Sequence, residues 1–314
     1  MKSKCLYCYK ETDGSDFHEK CSKAFFGTSK PPILGYAYNE MAEMAKSIIE
    51  RSIAIPGVQP KLSLSLLKEK QSNSKQARLT VVDALDGNYI LKPPTDAHPE
   101  LPENEHVTMR IAEAFRIPAV PSTLIRLASG ELSYITRRID RSNDGTKIHM
   151  LDMFQILEAF DKYKGSMERI AKALHEYSAR PLLDKLRFFE LALFCYLTGN
   201  NDMHLKNFSM IKGGSDWHLA PAYDLLNVSI ANPDDPEELA LTLKGKKRKL
   251  QRTHFETFGL ELGLTEKQLT NVFKRFTQNK ETALSWVRAS FLSPEMQEAY
   301  ITLLTERYRN FGLS

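Results

Sequence analysis

Gly199-Asn-Asn-Asp202-Met-His204-Leu-Lys206-Asn207-Phe208 follows directly on the most apolar long segment of the chain, Leu182 to Thr198. Seven of the nine residues from Gly199 to Asn207 are polar or glycine, hard against a helix whose composition reads as buried, which is not the make-up of a plain surface turn. Asp202 and Asn207 stand five apart. That is the spacing of the catalytic loop of phosphotransferases, where the Asp meets the substrate hydroxyl and the Asn holds a magnesium ion. Seventeen residues beyond Asn207, past a strand pair expected over Phe208–Ile211 and Trp217–Ala220, comes Asp224 in Ala222-Tyr223-Asp224-Leu225. Mg²⁺ takes hard oxygen ligands from one or two carboxylates and leaves the rest to phosphates and water, which Asn207 and Asp224 suit. Either Asp alone reads equally well as a helix cap or turn former; the three residues together favour phosphoryl transfer.

Working towards the N-terminus, a phosphotransferase needs a cation on the nucleotide phosphates. Lys92 ends the strand Tyr89-Ile-Leu-Lys92, and in the helix expected over Glu103–Arg116 either Glu103 or Glu105 can form the ion pair that aligns it. Glu105, nearer the apolar Met109 and Phe115, is the better partner. Between strands expected at Ser52–Ile55 and Leu62–Leu67 lies Pro56-Gly57-Val58-Gln59-Pro60-Lys61, whose backbone N–H groups and lysine suit a phosphate-covering loop. With an amphipathic helix over Asn39–Arg51, strands at Leu79–Ala84 and Tyr89–Lys92, and two more flanking Ser129-Gly130, the N-terminal half is β-rich. Beyond His149 helical periods dominate: Met150–Phe160, Ser166–Ser178, Pro181–Leu197 and four further helices after Arg252. The expected architecture is α+β and two-lobed, like a protein kinase: a short Cys/His appendage (1–30), a β-rich N-lobe (31–140) and a mostly helical C-lobe (141–314).

Composition narrows the classes. With 314 residues, 42% of them hydrophobic and 26% charged, and a mean hydropathy of −0.37, the chain has ample core material and is neither disordered nor fibrous. The net charge of +4, from 43 Lys and Arg against 39 Asp and Glu, is too small to imply direct nucleic-acid binding. Asp184, Lys185, Arg187 and Glu190 interrupt the most apolar segment, and the Met-Lys-Ser-Lys start leads into no apolar h-region, so a cytoplasmic location without membrane or secretion is expected.

Six motifs occurring in order resemble those of the HipA-like serine/threonine kinases, the toxin component of bacterial type II toxin–antitoxin systems. They are Gly57-Val-Gln-Pro-Lys-Leu-Ser63, Tyr89-Ile-Leu-Lys-Pro93, Asn104-Glu105, Arg138-Ile-Asp-Arg141, Asn200-Asn-Asp-Met-His-Leu-Lys-Asn207 and Pro221-Ala-Tyr-Asp224. The resemblance implies Asp202 as catalytic base, and His204, Lys206, Asn207 and Tyr223 around the nucleotide and metal. It further implies Asn207 and Asp224 as Mg²⁺ ligands, Lys92 on the ATP phosphates, Pro56 to Lys61 as the phosphate loop, and the backbone of Arg137 to Ile139 along the adenine edge. It also implies a translation component, such as an aminoacyl-tRNA synthetase, as substrate, with growth arrest and autophosphorylation of the loop.

Two departures from the family pattern matter. Relatives carry serines in the loop; here Ser52 is present but the next candidate position, two residues on, is Ala54, so longer ATP competence is expected. The chain also reaches its loop by residue 57, without the small N-terminal subdomain of longer relatives. It therefore resembles the compact HipT type, which implies as partners a separate small antitoxin resembling that subdomain and a DNA-binding antitoxin. A small-molecule or lipid kinase of related fold, or an inactive kinase-like binding module, are the rival readings.

Two features stand apart. Cys5-x2-Cys8-x9-His18-x2-Cys21 offers four donors compatible with a tetrahedral Zn²⁺ site, but cytosolic cysteines also serve as small apolar fillers, and the spacing alone leaves both open. Lys244-Gly-Lys-Lys-Arg-Lys249 carries five cations in six residues, the pattern of a solvated loop or of an electrostatic attraction for an acidic or RNA-associated substrate.

Overall fold

Tyr89-Ile-Leu-Lys92 sits in the middle of the largest sheet because its alternation leaves Tyr89 and Leu91 to be buried, and burial needs partners on both edges. In the computed structural model, which describes residues 3–41, 43–44, 61–67, 77–82, 87–142 and 144–313, this strand joins a sheet that is six-stranded among those residues. The strands are β3 (Ile33–Leu34), β4 (Leu62–Leu67), β5 (Arg78–Val82), β6 (Tyr89–Lys92), β7 (Ser122–Arg126) and β8 (Leu132–Arg137), in the order β3-β5-β4-β6-β8-β7. All pairings are antiparallel except β3 with β5. Gly87 makes the turn before β6 possible: its φ is +85°, and a Cβ there would lie 2.5 Å from the Leu64 carbonyl oxygen. Ahead of the sheet, β1 (Ser3–Lys4) and β2 (Glu11–Thr12) form a small ribbon followed by α1 (Glu19–Phe26).

The chain divides into two units, Met1–His106 with Val120–Thr146, and Val107–Ala119 with Lys147–Ser314. The cut falls inside α2 (Leu101–Ala114), and the first thirty residues group with the sheet. Of the helix expected over Asn39–Arg51, residues 38–41 and 43–44 are helical and the rest lies outside the described residues, as do the strand expected at Ser52–Ile55 and residues 83–84.

The second unit is organised by α5 (Pro181–Thr198), in which every residue from Phe188 to Thr198 is buried. From Phe188 on, the helix has no solvent face to offer, Glu190 being buried in an ion pair with Arg275, and this half becomes the centre of its bundle. Pro181 starts it without losing a needed N–H, and Gly199 ends it at φ +71°. It is packed by α4 (Met167–Tyr177), α7 (Arg252–Glu261) and α10 (Pro294–Phe311); α8 (Glu266–Gln278) and α9 (Lys280–Ala289) complete the four C-terminal helices. Phe188, Phe189 and Phe194 meet Phe208, Phe258 and Phe115 at ring-centroid distances of 5.3 to 6.3 Å, each fully buried ring contributing about 2 kcal/mol by area. Buried Asp184 anchors the start of α5, its Oδ2 accepting from the Ser178 hydroxyl (2.6 Å) and the Leu219 N–H (2.9 Å).

The helix expected over Met150–Phe160 is a correction. Met150–Asp152 is a strand, β9, paired with β10 (Ser209–Gly213), which in turn pairs with β11 (Asp216–Leu219). Only one turn of helix follows, α3 (Met153–Ile156), opened by a capping box between Asp152 and Gln155 and halted by Glu158 at φ +47°. Apolar periodicity over so short a stretch does not separate a strand that finds a partner from a helix that does not extend. The short helix α6 (Val228–Ala231) completes the unit, capped by Asn227. Among the described residues no helix is long and apolar enough to cross a membrane.

Candidate functional site

The loop that leaves α5 is fixed from inside. Gly199 is required, because a Cβ there would sit 2.6 Å from Asn227 Oδ1 as well as demanding a left-handed backbone. Asn200 and Asn201 turn inwards, their Nδ2 groups donating to the carbonyls of Asp224 (3.3 Å) and Glu237 (3.1 Å). Asp202 is thereby left exposed at the apex. Its Oδ1 accepts a 2.8 Å hydrogen bond from the Tyr163 hydroxyl, and its carbonyl accepts the His204 N–H at 2.8 Å. The Tyr163 phenol is pushed up by burial and then by the Asp202 carboxylate it donates to, so it remains a donor.

A 3₁₀ turn, Leu205–Asn207, brings the remaining groups round. Asn207 accepts the His204 N–H at Oδ1 (3.3 Å) and donates from Nδ2 to Asp224 Oδ2 (3.0 Å). Asp224 holds φ +56°, a left-handed backbone that asparagine and aspartate tolerate better than other non-glycine residues. Tyr223 braces both ends, its hydroxyl donating to the Lys206 carbonyl (2.9 Å) and sharing a 2.5 Å bond with Ser209 Oγ. The Lys206 ammonium lies 4.7 Å from the Phe154 ring centroid. Asn207 meets the Asp224 carboxylate through its Nδ2 while its Oδ1 faces the His204 N–H; that amide oxygen and the carboxylate are the hard-oxygen donors nearby, a sparse set of the kind that suits Mg²⁺ with phosphate and water completing the shell. Burial pushes His204 down to about 4, so it faces this site as a neutral imidazole. It is a hydrogen-bonding group at neutral pH rather than a cation.

The first unit holds a separate constellation. Lys92 Nζ donates to both oxygens of Glu105, at 2.6 and 2.8 Å, with the side chains 6% and 1% exposed. The ammonium also lies 5.3 Å from the Tyr134 ring centroid across the β6–β8 pairing. Glu103, the rejected alternative, does not pair with Lys92; burial pushes its carboxyl up to about 7. At the end of β8, the Arg137 N–H is bonded to the Pro121 carbonyl (3.0 Å) and the Arg138 N–H to that of Asn88 (2.9 Å). Ile139 follows them, half-buried. Lys61 is exposed immediately before β4, whereas Pro56, Gly57, Val58 and Gln59 lie outside the described residues.

Cys5, Cys8, His18 and Cys21 also converge in the first unit, with ligand atoms all within 4.8 Å of one another. In the basic run, Lys244 pairs with Glu261 (2.5 Å) and Lys247 with Glu237 (3.2 Å), so at least two of the five cations are occupied within the second unit. Tyr163 and Asn200 are the positioning residues that sequence reasoning passed over. Tyr163 lies 39 residues before its partner in a turn with no motif of its own, and nothing short of the fold brings it there.

The family model described as the HipA-like C-terminal domain matches residues 53–284. An inferred kinase of Haemophilus influenzae is 32% identical over 194 residues, covering 57% of this chain and 54% of that protein. The serine/threonine-protein kinase toxin HipA of Shewanella oneidensis is 24% identical over 211 residues, 61% of this chain and 46% of the other. A chain in the solved complex of the Shewanella oneidensis toxin–antitoxin proteins HipA and HipB with operator DNA superposes with a TM-score of 0.63 at 22% identity, covering 85% of this chain and 71% of that one. At that identity the likeness speaks for the fold, which is α+β as the sequence suggests. The chain spans about half the length of the curated relatives it matches.

Proposed function

The chain belongs to the family of the HipA-like C-terminal domain, and on that footing we propose that it is an ATP-dependent protein serine/threonine kinase acting as a toxin. The observation that carries the reading is the loop of the second unit, in which Asn207 and Asp224 touch at 3.0 Å while Asp202 stands exposed with its carboxylate held by Tyr163. Asp202 accepts the proton of a serine or threonine hydroxyl as that oxygen bonds to the γ-phosphorus; the bond to the β–γ bridging oxygen breaks and ADP leaves. Asn207 and Asp224 would hold Mg²⁺, whose charge offsets that of the phosphates. Lys92, oriented by Glu105, takes the α- and β-phosphates, and Pro56 to Lys61 cover them. His204, neutral, contributes a hydrogen bond, and Lys206 a positive charge, while Tyr223 fixes the backbone that carries Lys206. In this reading the backbone of Arg137 to Ile139 runs along the adenine edge, with the Arg137 and Arg138 amides held by the Pro121 and Asn88 carbonyls.

Ser52 is the autophosphorylation target in this reading, a translation component such as an aminoacyl-tRNA synthetase the substrate, and growth inhibition the result. The Shewanella oneidensis complex supports a DNA-binding antitoxin as partner. The test incubates wild type and Asp202→Asn with γ-labelled ATP and cell lysate. Label on a protein band with wild type alone is the expected result; equal labelling by both proteins rejects the kinase.

A further inference from the structure

The N-terminal ribbon and α1 bury Leu6, Tyr9, Phe17, Phe25 and Phe26, the last two against Tyr89 of the sheet, but that packing does not account for the donors they bring together. Two strands of two residues and a helix of eight gather three cysteines and an imidazole around one point, Cys5 and Cys21 buried, Cys8 and His18 half-buried. Segments of this size ordinarily need a metal or a disulfide in place of a core. All four cysteines of the chain are free thiols.

The geometry at that point is tetrahedral in scale. Cys8 Sγ lies 3.4 Å and Cys21 Sγ 3.8 Å from His18 Nδ1. Zn–S bonds of about 2.3 Å and Zn–N bonds of about 2.05 Å at tetrahedral angles place S and N about 3.6 Å apart and two sulfurs about 3.8 Å apart. The histidine is set in the ligating tautomer. His18 Nε2 lies 2.9 Å from the Glu11 carbonyl oxygen, which can only accept, so the ring proton is on Nε2 and the Nδ1 lone pair points at the sulfurs. Cys5 and Cys8 come from a tight knuckle in which the Tyr9 N–H returns to the Cys5 carbonyl (2.9 Å); His18 and Cys21 come from the start of α1. An apolar filler requires neither the convergence of the sulfurs nor an oriented histidine.

The knuckle is also fastened to the first unit's ion pair. The Tyr9 hydroxyl shares a buried 2.8 Å hydrogen bond with His106 Nδ1, and His106 adjoins Glu105 on α2. The Leu6 carbonyl accepts from Thr123 Oγ1 (3.2 Å) and the Leu124 N–H (3.4 Å) on β7. At the far end of α1, the Arg137 guanidinium donates to the Phe25 carbonyl.

We propose that Cys5, Cys8, His18 and Cys21 bind one Zn²⁺ in a closed structural site, and that the metal-held knuckle positions, through Tyr9 and His106, the helical turn that carries Glu105. Four protein ligands leave no open position, so the ion is structural rather than catalytic. An S₃N donor set selects zinc over magnesium or calcium. Only the consequence for phosphoryl transfer rests on the kinase reading; the metal site does not.

The full chain, purified without chelator, is assayed for metal by mass spectrometry of the elements. About one equivalent of zinc is expected in the wild type and in His18→Cys, which keeps four donors, with loss in the Cys8→Ala/Cys21→Ala double variant. Less than half an equivalent in the wild type, iron in its place, a disulfide among the three cysteines, or zinc retained by the double variant would each overturn the site. Hydrogen exchange at 101–106 reads the positioning step independently of activity. Tyr9→Phe should retain its zinc and exchange about tenfold faster there, as loss of one hydrogen bond worth about 1.4 kcal/mol implies. Unchanged exchange in Tyr9→Phe rejects the relay.

Discussion

Lys92 and Glu105 hold each other in the interior of the first unit, whereas Asp202 stands in water at the apex of a loop in the second and is set by its backbone and one tyrosine. The first arrangement stores charge. Two ions are kept out of solvent by mutual attraction and a strand–helix scaffold, and neither is secure without the other. The second presents charge. Gly199 and Asp224 in left-handed conformations, inward-turned Asn200 and Asn201, and the Tyr223 brace fold the loop so that its carboxylates remain accessible. A lysine can be buried when it brings its counter-ion; under the proposed function, a base that must meet a substrate has to stay exposed.

That contrast is broken most directly at Asp202. Asp202→Asn should lower phosphoryl transfer by about a hundredfold or more, the usual worth of a positioned proton acceptor, while thermal stability stays near wild type. A loss of less than fivefold in a labelled-ATP assay would mean that the exposed carboxylate is not the base.

The buried pair should behave oppositely, showing itself in stability as well as rate. Glu105→Gln leaves an uncompensated ammonium in a site only 6% exposed, a cost of about 3–5 kcal/mol measurable as a lower denaturant midpoint. The double variant Lys92→Met/Glu105→Leu should recover most of that stability and none of the transfer activity. Recovery of both would show that the pair has no role beyond folding.

A finer cut comes from Tyr163→Phe, which removes the hydrogen bond to Asp202 but keeps the ring that lies edge-on to His204 at 5.2 Å. One hydrogen bond of about 1 kcal/mol corresponds to a rate lower by about fivefold, with the nucleotide KM unchanged. A change in KM without one in kcat would place the tyrosine in binding instead.

The smallest effect expected is on pH dependence. The ordinary histidine value is 6.5 and the folded one about 4, so on acidification the unfolded chain binds a proton first. The stability conferred by neutral His204 is therefore complete above pH 6.5 and declines as pH falls from there towards 4. His204→Gln should flatten the unfolding free energy across that window; an unaltered slope would mean that the imidazole titrates normally.

Much of this was legible beforehand. The apolar run of α5, the strand Tyr89–Lys92, the four C-terminal helices and the Asp202, Asn207, Asp224 spacing all follow from local composition, and the choice of Glu105 over Glu103 followed from its apolar neighbours. The expected helix over Met150–Phe160 failed for a reason that lies elsewhere in the chain. Met150–Asp152 becomes a strand because β10, almost 60 residues on, offers an open edge. The position of Tyr163 depends in the same way on distant chain, and the neutrality of His204 on what buries it.

By itself, the sequence determined the class of architecture, the order of its elements and the identity of the charged groups, because these depend on composition and spacing over short stretches of chain. The tertiary structure alone decided which groups meet. It brought Tyr163 to Asp202, closed Asn207 onto Asp224, and gathered Cys5, Cys8, His18 and Cys21 about one point, since each of those contacts joins residues whose separation the chain must fold to cancel.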